Sequence, residues 1–62
     1  MIVRAYSNTR KTILTSREFN SFAQAETFAL ALSLCAAIKP LALVTIEIDD
    51  RAIARYCAGE KL

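Results

Sequence analysis

The chain of 62 residues has no histidine, no tryptophan, one glycine, one proline and two cysteines. Without histidine, the commonest proton-transfer group at neutral pH is missing, and acid–base chemistry would need a carboxylate pair held in a dry cleft. A zinc centre is excluded, because four soft ligands cannot be assembled from two cysteines alone. A single glycine cannot build the glycine-rich loop that cradles phosphates. One glycine and one proline also leave no linker material, so residues 1–62 read as one domain. At most one disulfide can form. Met1 leads directly into MIVRAYS, which alternates like a strand where a secretory signal would stand, so Cys35 and Cys57 are expected to be reduced, buried thiols in a cytoplasmic protein.

Long hydrophobic runs are missing too. The longest uncharged apolar stretch, FALALSLCAAI at 28–38, is interrupted by Lys39-Pro40, whereas a bilayer span needs about 20 residues, so no membrane insertion is expected. Charge is modest, with a net of +2. It is uneven, since Arg4, Arg10, Lys11 and Arg17 face only Glu18 in the first twenty residues. That balance does not by itself imply a nucleic-acid partner. What is abundant is hydrophobicity, at 55% against 23% charged residues, the composition of a packed globular domain. A chain of this length buries only about 60% of its unfolded surface and is marginal alone. Disulfides, a structural metal and self-association are the usual remedies. With the first two set aside, a homodimer or a protein partner is expected.

Residues 2–7 and 12–17 alternate around the polar NTRK and predict a β-hairpin. A four-residue loop would place Ser7 opposite Thr12, Tyr6 opposite Ile13, Ala5 opposite Leu14, Arg4 opposite Thr15 and Val3 opposite Ser16. One face would then carry Val3, Ala5, Thr12 and Leu14, and the other Arg4, Tyr6, Thr15 and Arg17. A helix follows over Phe22–Ile38, capped by Asn20 or Ser21 with Gln24 in capping-box position and stopped by Pro40. It presents two apolar stripes. Phe22, Ala25, Phe28, Ala29, Leu32, Cys35 and Ala36 form the first; Leu30, Leu34 and Ile38, with Ala23 and Ala37, form the second. After Pro40, LALVTIEI predicts a strand with Val44, Ile46 and Ile48 on one side. Asp49 or Asp50 then caps a short C-terminal helix ended by Gly59, with a hairpin through IEIDDRAIARY as the competing reading. The expected fold is α+β: β-hairpin, long apolar helix and third antiparallel strand (ββαβ, sheet order 2-1-3) with a short C-terminal helix.

No catalytic constellation emerges. Glu47 and Asp49 share a strand face next to Asp50, but a strand end followed by a helix cap accounts for them, and oxygen-ligand cation sites usually recruit more groups. Neither cysteine has a base beside it in sequence. The expectation is a non-enzymatic module with no cofactor and no metal. Two surfaces are candidates: the second helix stripe, Leu30, Leu34 and Ile38, which a lone chain cannot cover, and a basic sheet face of Arg4, Tyr6, Arg10, Lys11 and Arg17. The first points to protein–protein interaction. The second supports the alternative, a small dimeric nucleic-acid-binding protein, unless Arg4 and Arg17 pair with Glu47 and Asp49 across the sheet. In size and in its lack of chemistry the chain resembles short proteins of phages and mobile elements, which work by occluding a host protein as anti-CRISPR proteins do. That resemblance implies an inhibitor of a host protein.

Overall fold

The computed structural model describes residues 1–7, 9, 11–35 and 42–62. It is an α+β fold in which one helix, the only one among the described residues, packs on a five-stranded antiparallel sheet of order β2-β1-β3-β4-β5. The strands are β1 (Ile2–Tyr6), β2 (Ile13–Glu18), β3 (Leu43–Ile48), β4 (Arg51–Cys57) and β5 (Glu60–Lys61), with α1 (Phe22–Ser33) between β2 and β3. The expected order 2-1-3 is contained in this sheet, which continues by two further strands.

Those strands replace the expected C-terminal helix. Ile48 pairs with Arg51, and the two residues between them, Asp49 and Asp50, have φ of 51° and 65°. Positive φ at both central positions marks a type I′ hairpin turn, whose twist matches that of the flanking strands, and aspartate tolerates that region better than most side chains. Ala58 (φ 52°) and Gly59 (φ 80°) repeat the device between Cys57 and Glu60. The hairpin reading of IEIDDRAIARY is therefore the one the fold adopts. Local propensity for helix in an alanine-rich segment loses to burial of Ala54 and Tyr56 beneath α1.

The β1–β2 register agrees with expectation only at the turn. The Ser7 N–H donates to the Thr12 carbonyl at 2.8 Å, and Tyr6 pairs with Ile13. A bulge then shifts the ladder by one residue, so that Ala5 faces Thr15, Arg4 faces Ser16 and Val3 faces Arg17. Because side chains alternate, one extra residue moves the rest of a strand to the opposite face. Thr15 and Arg17 consequently share the face of Val3 and Ala5, the helix side, rather than the face of Arg4 and Tyr6.

The core is Val3, Ala5, Ala25, Ala29, Ala42, Val44, Ile46, Ala54 and Tyr56, with Met1, Phe19, Phe28, Leu30 and Leu32 packed at its margin. Ala25, Ala29 and Ser33, spaced four apart, are the helix residues buried against the sheet, a ridge of small side chains that lets the helix axis approach closely. Ser21 caps the N-terminus by accepting from the Gln24 N–H at 3.4 Å. The far end stops earlier than expected. The Ser33 hydroxyl donates to the Leu30 carbonyl at 2.8 Å and accepts the Gly59 N–H at 2.9 Å. The N–H groups of Leu34 and Cys35 bond three residues back, to Ala31 and Leu32, the tighter winding that closes many helices. Docking of the β4–β5 turn thus ends α1 at Ser33, and the rest of the expected helix, 36–38, lies outside the described residues. No helix among the described residues is long and apolar enough to cross a membrane.

Candidate interaction surfaces

The sheet has one face under α1, and its other face is open among the described residues. On the open face, β-pairing lines up Ser16, Arg4, Thr45 and Arg55 in one row and Glu18, Ile2, Glu47 and Ala52 in the next. Glu47 is the centre of this surface. Its Oε1 accepts from Arg4 Nη1 at 2.8 Å, and its Oε2 accepts from the Tyr6 hydroxyl at 2.6 Å and the Thr45 hydroxyl at 2.7 Å. Although no element among the described residues covers this face, Glu47 is only 7% exposed, because Arg4 and Tyr6 lie across it. Arg4 also approaches Asp50 at 4.0 Å.

Burial pushes the Glu47 carboxyl up, but the bonds from Tyr6 and Thr45 and the Arg4 charge together outweigh it and hold the group below its ordinary range. Tyr6 is raised in turn, chiefly by donating to that carboxylate. A second network stands at the helix flank. The buried Tyr56 donates to Glu26 Oε2 at 2.7 Å and Lys61 Nζ reaches the same oxygen at 3.3 Å. Burial, followed by the bond to Glu26, raises the Tyr56 phenol strongly, and the Tyr56 and Lys61 bonds lower Glu26.

These shifts set a pH dependence. Carboxylates held below their ordinary 4.5 in the fold contribute stability that is complete above that value and lost as pH falls through the lowered one. Phenols raised above 10.0 keep their proton in the fold after the unfolded chain has released it, so stability falls as pH rises past that value. The urea midpoint is expected to be flat across neutral pH and to decline on both sides, with Glu47→Gln shrinking the acid decline. An acid limb unchanged in Glu47→Gln would remove Glu47 from this account.

The second surface is the solvent side of α1. A shallow groove of about 520 Å³ is lined by Phe19, Ala23, Gln24, Thr27, Phe28 and Ala31. None of these is charged. Phe19 and Phe28 meet with ring centroids 5.2 Å apart, and the Arg17 guanidinium sits 5.3 Å and 5.2 Å from the two rings, within cation–π range. The only charged residue of α1, Glu26, points to the opposite flank and is occupied by Tyr56 and Lys61. The outer helix face is therefore apolar or neutral along the groove, with Arg17 at its rim, while Lys61 stands 5.5 Å from the ring of the exposed Phe22 at the start of the helix.

The sequence-expected residues divide as follows. Leu30 is half-buried at the edge of the core, whereas Leu34 is 70% exposed and lies over Gly59, where an added Cβ would come within 2.7 Å of Leu34 Cδ2. Ile38 and Arg10 lie outside the described residues. Arg4 and Tyr6 are together, held by Glu47; Lys11 is exposed beside the hairpin turn; Arg17 is on the other side of the sheet. Arg4 does pair with Glu47, as the ion-pair reading expected, but Arg17 pairs with two aromatic rings and not with Asp49. Cys57 is half-buried, but Cys35 is exposed rather than buried, and no disulfide joins them, since the early end of α1 leaves Cys35 off the core face. Among the described residues no group of three or more potential metal-ligating side chains converges. The groove residues Phe19, Thr27 and Ala31 had no place in the expected surfaces. The signal that could have found them is the alternation of small residues at 23, 27 and 31 beside two phenylalanines. Comparison with known proteins yields no match: no family model fits the chain, and no curated protein and no solved structure is significantly similar to it.

Proposed function

We propose that this chain is a non-catalytic binding module that acts by occupying the surface of another protein, and that the groove along α1 is its contact. The observation that carries this reading is the uncharged solvent side of α1 between Phe19, Phe28 and Ala31. Helices that only face water normally carry charge there, and apolar helix surface left outside the core marks a partner. The occupant suited to the groove is a segment with two or three apolar side chains and an adjacent carboxylate able to meet Arg17. A module of this kind blocks by covering, in the manner of small inhibitors from mobile elements.

Nucleic-acid binding draws less support from the geometry. Arg4 and Tyr6 are consumed by Glu47, and Arg17 is separated from them by the thickness of the sheet, so the described cations do not form one strip tracking a phosphate backbone. Affinity capture from host lysate tests the choice. Thr27→Glu, which puts a charge in the groove, should weaken retention of a defined protein at least about tenfold, whereas Arg55→Glu on the open sheet face should leave it unchanged. Retention indifferent to Thr27→Glu would overturn the groove reading. Steeply salt-dependent binding to random DNA or RNA would replace it with the nucleic-acid one.

A further inference from the structure

The two edges of the sheet are unequal. β5 has two residues and ends one side bluntly, whereas β2 has six and ends the other. The helix lies over β1, β3 and β4 and reaches β5. In β2 only Thr15 is half-buried, every other residue is exposed, and Ile13 and Leu14 are 51% and 43% exposed. The backbone shows what this edge offers. Met1 and Phe19 exchange both main-chain bonds, at 3.0 Å and 2.8 Å. The antiparallel ladder alternates from that pair, so Val3/Arg17 and Ala5/Thr15 are bonded to each other, while Ile2/Glu18 and Arg4/Ser16 are not. The N–H and C=O of Ser16 and of Glu18 therefore point away from β1, off the sheet. Among the described residues the protections of this edge are few: residues 13–18 include no proline and no lysine, Arg17 is drawn onto Phe19 and Phe28, Glu18 is the one other charge, and the bulge sits at the hairpin end, leaving 15–18 in regular register.

We infer that a second copy of this chain pairs antiparallel along β2, with the two-fold axis at Ser16. An outward donor–acceptor pair on an antiparallel edge is its own complement about a two-fold axis, so a second copy satisfies it without any further matching. Charge selects the register. An axis at Arg17 or Glu18 would set like charges directly opposite each other. An axis at Ser16 places Arg17 against Thr15, and Glu18 against Leu14. The axis stands perpendicular to the sheet, so both helices lie on one face of a continuous sheet. A standard interface covers about 800 Å² per partner, near a fifth of this chain's 4129 Å² surface. Strand pairing alone covers less, and the dimer is correspondingly weak, with a dissociation constant in the range of about 10 μM to 1 mM.

Sedimentation velocity on the full chain from about 10 μM to about 1 mM tests this. The wild type should move from monomer to dimer across that range. Ser16→Pro deletes an N–H that β1 does not use, and proline is tolerated on an edge strand at such a position; its thermal unfolding should be little changed while association weakens at least about tenfold. Ser16→Lys, which places two cations near the axis, should do the same and carries the test if the proline variant fails to fold. A wild type that stays monomeric throughout, or a folded Ser16 variant that associates like the wild type, overturns the inference. The groove reading is unaffected by either result, because its readout is retention of a target.

Discussion

Tyr56→Ala is expected to cost the chain about 3–5 kcal/mol, a third of its stability at the least and all of it at the lower end of what a domain of this length has. Tyr56 is the largest fully buried side chain, its ring beneath α1 and its hydroxyl on Glu26. Removing a buried aromatic ring costs about 3–5 kcal/mol through lost burial and the cavity left behind. At about 0.05–0.15 kcal/mol per residue, a domain of this length has only about 3–9 kcal/mol in total. The core offers little to collapse into the gap, since five of the nine buried apolar residues among those described are alanines. Far-UV circular dichroism in water, with urea titration, reads the outcome; a folded Tyr56→Ala with a near wild-type midpoint would show that the ring is not a pillar of the core. Tyr56→Phe separates packing from bonding. It keeps the ring and loses one hydrogen bond to a partly solvated carboxylate, a cost of about 1 kcal/mol, and it should also reduce the alkaline loss of stability that the raised phenol produces.

Ala29→Leu is the second large effect. Ala25, Ala29 and Ser33 touch the sheet with no more than 1% exposure, so the distance between helix and sheet is set by methyl and hydroxymethyl groups. A leucine at 29 has no void to enter. It must lift α1 or distort β1 and β3, and overpacking of this kind costs about 1–3 kcal/mol, sometimes more. Lifting the helix would also strain the Ser33 to Gly59 bond and the Tyr56 to Glu26 bond, so the loss should fall in the upper part of that range. The same substitution at Ala31, which lines the outer groove, should change the urea midpoint by a fraction of that amount. Equal effects at 29 and 31 would mean that the helix does not sit on the 25–29–33 ridge.

The two variants bracket what was legible beforehand. Hairpin, helix and third strand, with β1 central among them, follow from alternation, capping residues and Pro40. The pairing of Arg4 with Glu47 follows from placing both on one sheet face. Three features were not legible. The bulge near Leu14 has no residue signature, since no glycine marks it, yet it moves Arg17 from the side of Arg4 to the side of Phe28 and so divides the expected basic surface. The 51–57 segment carries alanines and a helical spacing of Ile53, Tyr56 and Cys57 that a strand accommodates equally well once Asp49 and Asp50 adopt positive φ. The helix end depends on Ser33 meeting Gly59, residues 26 positions apart.

By itself, then, the sequence determined which residue types are present and that a hairpin, a helix and a third strand form, but not the strands at 51–57 and 60–61. It held no histidine, no ligand set and no phosphate loop, and its helix was apolar on more than one side, because composition and local periodicity are carried in the order of residues alone. Tertiary structure decided which sides are used. It turned the small ridge 25–29–33 inward, half-buried Leu30, left Ala23, Thr27 and Ala31 outside beside Phe19 and Phe28, and put β2 at an open edge. Facing direction depends on register and on long-range contacts, and one inserted residue in a ladder is enough to reverse it.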